Sequence, residues 1–204
     1  MRKVELLLLD ADGVVQIDTL DRKHMLAKIC GGIADVEKLM IDLFDAELPC
    51  LTGQADFPER LQKVLADWGN RVSLEEALIA WTAIEPNAEV LDLVDSILAN
   101  GTPVALASSQ EAFRASYMSK ELAYGSRFNH LYFSCYLRKM KPDPAYFNTI
   151  FSTLAVSPTR TLFIDDNQRL VDAAKDLGVN AFRFDLNTEP VSKLKTILVN
   201  QGLL

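Results

Sequence analysis

The stretch Val4-Glu5-Leu6-Leu7-Leu8-Leu9-Asp10-Ala11-Asp12-Gly13-Val14 carries the first decision about the fold. Residues 4–9 form a short run, apolar on both faces and closed by a turn sequence. A strand that is apolar all round must be covered on both sides, which is the condition of a parallel strand inside an α/β sheet. The same shape returns at 103–107 ending in Ser108, at 161–164 ending in Asp165, and at 179–184 ending in Asp185. A weaker strand candidate spans 131–134.

Helical stretches lie between these runs. Asn87 can cap a helix to Leu98, closed by Asn100-Gly101. A second runs over 111–123, ahead of Gly125. Asp143-Pro144 puts a capping carboxylate before a proline at the first helical position and opens a helix to Leu154. Further helices span 168–177, ending at Gly178, and 191–200. Strands alternating with helices in this rhythm predict an α/β fold, a doubly wound (Rossmann-like) parallel sheet.

One region breaks the rhythm. Residues 17–85 contain no convincing strand and have helical patterns near 22–29, 36–44, 57–68 and 74–84. The expected division is a core of 1–16 and 86–204, with a small all-helical cap inserted at 17–85.

Composition narrows the classes of partner. The chain has 204 residues, 49% hydrophobic and 24% charged, the profile of a soluble globular protein. A net charge of -7 argues against nucleic acid and anionic membrane as partners. An acidic chain that binds phosphate needs local help from a metal ion, a lysine or helix N-termini. The three cysteines, Cys30, Cys50 and Cys135, have no disulfide or zinc spacing and point to a reducing compartment. The aliphatic run at 6–9 is too short for a signal-peptide core or a membrane span, so a cytoplasmic location is expected.

Four short motifs close or follow these strands. Asp10 and Asp12, one residue apart, can face a single site if Gly13 turns the chain sharply; otherwise they are an acidic turn. Ser108 and Ser109 can hold phosphate oxygens with a hydroxyl and backbone N–H groups, or simply cap the next helix. Lys141, held beside Pro142, can meet a carboxylate and a phosphate; with Arg138 and Lys139 it can also be a solvated basic run. Asp165 and Asp166 repel each other unless a cation lies beside them, and magnesium prefers such oxygen ligands. Alone, they also read as a helix-capping turn.

In this order, an aspartate pair, a serine, a lysine and a second aspartate pair resemble the signature of the haloacid dehalogenase superfamily. The resemblance covers essentially the whole chain, and the insertion site resembles that of members with a small helical cap. The Lys141-Pro142-Asp143-Pro144 and Asp165-Asp166-Asn167 forms, with the stretch 85–110, look like the subgroup of small sugar-phosphate phosphatases that includes glucose-1-phosphate phosphatases.

The resemblance implies a magnesium-dependent phosphatase acting on a small phosphorylated metabolite. Asp10 would be the nucleophile and Asp12 the acid and base. Ser108, the Ser109 N–H and Lys141 would bind phosphate. Mg2+ would be held by Asp10, the Asp12 carbonyl and Asp166, with Asp165 close by. Dehalogenases of the superfamily lack an acid two residues after the nucleophile, so Asp12 favours phosphoryl transfer. The alternatives are a phosphomutase or a non-catalytic binding module.

Two positions depart from the family pattern: Arg138 stands where glycine is frequent, and Leu170 where asparagine is frequent. Asp18, Arg22, Gln54 and Arg60 are candidates for substrate contact from the cap. His24, His130, Trp68 and Trp81 read as structural or surface residues.

Overall fold

The computed structural model describes residues 3–19 and 22–204. Its centre is a five-stranded parallel sheet of β1 (Leu6–Leu9), β4 (Val104–Ser108), β5 (His130–Phe133), β6 (Thr161–Asp165) and β7 (Asn180–Arg183). The strands run in the order β5-β4-β1-β6-β7. Because β4 lies on one side of β1 and β6 on the other, the chain reverses its direction of growth at β1. Ligands of open α/β sheets bind at such a switch point, beyond the carboxyl ends of the strands.

The buried run at 6–9 serves both faces of the sheet. Leu7 and Leu9 join a cluster with Val94 and Ile97 of α5 (Ala88–Ala99), Met118 of α6 (Ala112–Lys120) and Leu198 of α11 (Val191–Asn200). Leu6 and Leu8 join the opposite cluster, with Phe147 and Ile150 of α9 (Pro144–Leu154) and Val171 of α10 (Gln168–Asp176). Each fully buried leucine contributes about 1.5–3 kcal/mol relative to exposure. The expected doubly wound α/β sheet is therefore the observed one.

Between β1 and α5, the helices α1 (Arg22–Cys30), α2 (Val36–Glu47), α3 (Phe57–Asp67) and α4 (Leu74–Trp81) form a separate apolar cluster. Trp81 stacks on Phe57 within it, ring centroids 4.8 Å apart. Trp68 donates its indole N–H to Asp42 at 2.9 Å.

The expectation of no strand in this region needs correction. Gln16–Asp18 (β2) and Ile84–Pro86 (β3) pair antiparallel, with Ile17 opposite Glu85. Three-residue strands are too short to show a period of two in sequence, and their pairing partners lie far apart along the chain. The helix expected to reach residue 84 stops instead at Trp81, where the chain turns into β3. The helix expected over 111–123 ends at Lys120. Ala123 takes a left-handed conformation (φ 56°), and Gly125 falls inside the short helix α7 (Tyr124–Arg127).

No helix among the described residues is long and apolar enough to cross a membrane.

Candidate active site

Asp10 is the first residue past β1, and its N–H still donates to the Ile164 carbonyl of β6 at 2.9 Å. Its main chain is thus fixed by the sheet. The chain then turns tightly: Ala11 accepts from the N–H groups of Val14, Val15 and Gln16, and Gly13 adopts φ +71°. A β-carbon on Gly13 would stand 2.5 Å from Asp166 Oδ2, so glycine is required there by conformation and by space. Gly13→Ala is expected to destabilise the fold by at least the roughly 1–2 kcal/mol of a left-handed alanine. A shift in denaturant midpoint measures it.

The third motif reaches Asp10 from the other side. Lys141, with a side chain only 1% exposed, places Nζ 2.9 Å from Asp10 Oδ1 and 2.7 Å from Asp165 Oδ2. Asp165 is fully buried, and its other oxygen accepts from the Asn167 N–H at 2.9 Å. Both oxygens of Asp165 are therefore engaged, and it anchors the lysine. Asp166, half-buried, completes a group with Asp10 and Asp165 in which one oxygen of each lies within 4.8 Å of the others.

Burial dominates the electrostatics of this cluster. Burial pushes the Asp10 carboxyl up to about 7, Lys141 pulling it back down and Asp165 pushing it further up. Burial, then Asp165 and Asp185, push Asp166 up to about 6. Burial pulls on Lys141 in the opposite sense, but Asp10 and Asp165 outweigh it and hold the ammonium above its ordinary value. One ammonium among three carboxylates leaves room for a further cation.

Asp12 faces a different set of groups. Its Oδ1 accepts from Gln16 Nε2 at 2.8 Å and Arg114 Nη2 at 2.9 Å, and its Oδ2 accepts from Gln110 Nε2 at 2.7 Å. The Gln110 amide also donates to Ser108 Oγ at 3.2 Å, tying the serine at the end of β4 to the acid after β1. The Ser109 hydroxyl is buried without a hydrogen-bond partner among the described residues.

The helix after this serine pair is capped by neither serine. Glu111, fully buried, accepts from the N–H groups of Phe113 at 2.5 Å and Arg114 at 2.8 Å. Its carboxylate therefore occupies two of the N–H donors at the start of α6. Burial raises the Glu111 carboxyl above its ordinary value even so.

A cleft of about 300 Å³ opens between Asp12, Arg114 and Asp166 on the sheet side and Met40, Phe44 and Trp81 on the helical side. A larger groove, about 550 Å³, lies at the opposite end of the sheet around Lys3, Thr102, His130 and Arg160. It contains no cluster of carboxylates, and chemistry rather than size selects the smaller cleft.

Of the cap candidates, Asp18 comes within 3.8 Å of Arg114 and lines the cleft. Gln54 is exposed and donates to Thr52, and Arg60 donates to the Ala46 carbonyl at 3.3 Å; neither lines the cleft. The Arg22 side chain lies outside the described residues. His24 and His130 are both exposed. Arg138 takes φ 55° at the end of α8 (Ser134–Leu137), a left-handed conformation that favours glycine.

The family model for haloacid dehalogenase-like hydrolases matches residues 48–184. No curated protein matches the sequence significantly. Among solved structures, a HAD family enzyme from Bacteroides thetaiotaomicron, in complex with magnesium and inorganic phosphate, superposes with a TM-score of 0.78 at 22% identity. That match covers 94% of this chain and 98% of the other. A HAD-like family hydrolase from Porphyromonas gingivalis gives 0.79 at 24% identity, over 96% and 98%. L-2-haloacid dehalogenase from Xanthobacter autotrophicus gives 0.63 at 18% identity, over 97% and 83%. The fold is common to all three, and the family model spans β4 to β7 and the last three motifs, beginning after β1 and the Asp10 motif. This chain belongs to the haloacid dehalogenase-like hydrolases.

Proposed function

We propose that the protein is a magnesium-dependent phosphatase that hydrolyses a small phosphorylated metabolite, a sugar phosphate among the candidates, through an aspartyl-phosphate on Asp10. The observation that carries this reading is the buried contact of Asp10 with Lys141, next to Asp165 and Asp166 and across the turn from a second acid, Asp12.

The donor set suits magnesium: oxygen ligands only, clustered, with the carboxyls of Asp10 and Asp166 raised by burial and by their acidic neighbours. Asp10, the Asp12 main-chain carbonyl and Asp166 would hold it, with Asp165 alongside. When bound, it offsets the repulsion between an anionic nucleophile and an anionic ester.

The side chains then divide the work. An oxygen of Asp10 bonds to phosphorus as the bond to the leaving oxygen breaks. Asp12 gives its proton to that leaving oxygen, then takes one from the water that attacks the acyl-phosphate, releasing inorganic phosphate and restoring Asp10. Lys141 neutralises charge on Asp10 and the phosphoryl group. Ser108 and the Ser109 N–H hold phosphoryl oxygens. Residues 17–85 act as a cap that closes over the cleft, excludes water and contacts the leaving group.

Dehalogenases share this fold, so Asp12 is what favours phosphate esters: halide leaves without a proton, an alkoxide does not. A panel of phosphate esters tests the reading. Phosphate release is expected with magnesium and should vanish with excess chelator. Turnover that survives chelation overturns the proposal, and isomerisation of sugar phosphates without release reassigns the site to a phosphomutase.

A further inference from the structure

Arg114 is a buried cation on α6. It lies in the first turn of α6, its side chain 8% exposed, with its N–H fixed by the Glu111 cap. Burying a guanidinium is costly unless it is paired. Its partners are the Asp12 carboxylate at 2.9 Å and Asp18 at 3.8 Å, both through Nη2.

Two amides complete the frame around Asp12. Gln16, fully buried, accepts from the Tyr124 hydroxyl at 3.0 Å through Oε1. That contact fixes the amide so that its N–H donates to Asp12 Oδ1 at 2.8 Å. Gln110, 1% exposed, supplies the donor to Oδ2. Three donors from three separate segments thus converge on one carboxylate that is itself 41% exposed to the cleft.

We propose that Arg114, with Gln16 and Gln110 in support, is a positioning residue that holds Asp12 in the orientation from which it protonates the leaving oxygen. The inference rests on the phosphatase reading and deepens it. An acid held by one flexible contact would rotate among its rotamers, and transfer depends on heavy-atom distances near 2.6–3.2 Å. One guanidinium N–H of Arg114 and the Gln16 amide on Oδ1, with the Gln110 amide on Oδ2, remove that freedom.

The test uses aryl phosphates of graded leaving-group acidity, from p-nitrophenyl to phenyl phosphate, with magnesium present. Nitrophenolate departs without a proton, whereas phenolate needs one more. Asp12→Ala should therefore steepen the dependence of kcat/KM on leaving-group pKa. Arg114→Met should steepen it in the same way, with a loss of about 10²-fold on phenyl phosphate and only a few-fold on p-nitrophenyl phosphate. The double variant should be no worse than Asp12→Ala alone, because both act through one group.

Arg114→Lys keeps a buried cation without the planar guanidinium. Its slope should fall between wild type and Arg114→Met, and it decides the matter if Arg114→Met does not fold. An unchanged slope in the folded Arg114 variants, with KM raised equally across the series, would make Arg114 a substrate contact and overturn the proposal. Additive losses in the double variant would do the same. If Asp12→Ala itself leaves the slope unchanged, the role of Asp12 falls first and this proposal with it.

Discussion

Asp10→Asn is expected to lower phosphate release by at least about 10⁴-fold, the scale on which loss of a covalent nucleophile falls. The asparagine fills the same space at the end of β1, and its main chain keeps the bond to Ile164. It cannot form the acyl-phosphate. Stability should not suffer, because Asp10 is a buried carboxylate whose pKa is raised chiefly by its loss of solvent. Lys141 retains Asp165 as its counter-ion at 2.7 Å. A melting temperature near or above that of the parent, together with lost turnover, separates chemistry from folding. Turnover within tenfold of the parent would remove Asp10 from the mechanism.

Lys141→Met should injure both stability and activity. It removes the ammonium that Asp10 and Asp165 share and leaves two buried carboxylates facing each other. Breaking a buried ion pair from one side costs about 3–5 kcal/mol. Loss of a preorganised charge beside the transferring phosphoryl group costs on the order of 10²–10³-fold in kcat. Denaturant titration reads the first and steady-state assay the second. Lys141→Arg is expected to recover part of the stability and little of the rate, since a planar guanidinium cannot occupy the point where the ammonium meets both acids. A wild-type midpoint for Lys141→Met would contradict the buried contact itself.

The sheet was legible because its strands are apolar on both faces and end in polar turn residues. The run at 6–9 carries that signal in four leucines, each at most 2% exposed. Three of the motifs were legible for the same reason, since Asp10, Ser108 and Asp165 stand where such a strand stops, whereas Lys141 lies beyond β5 and α8. β2 and β3 were not, because three residues such as Gln16-Ile17-Asp18 show no period and acquire strand geometry only by pairing with residues nearly seventy positions away.

The frame around Asp12 was equally hidden. Gln110 and Arg114 approach it across sequence separations of 98 and 102 residues. Gln16, only four residues on, reads as an ordinary turn glutamine until Tyr124 is seen to fix its amide. Glu111 displaced the serines as the cap of α6 because its longer carboxylate reaches two N–H groups at once. The signal available in sequence was an acid directly before a helical run, and the serines beside it drew the reading instead.

The central claim is a covalent bond between phosphorus and Asp10, and it can be trapped. Turnover with magnesium is quenched in acid and reduced with borohydride, which converts an aspartyl-phosphate to homoserine, and the peptides are then weighed. Homoserine at position 10, and at no other aspartate, is the predicted result. Steady phosphate release with Asp10 recovered unmodified under the same quench, or with homoserine at another aspartate, would contradict it.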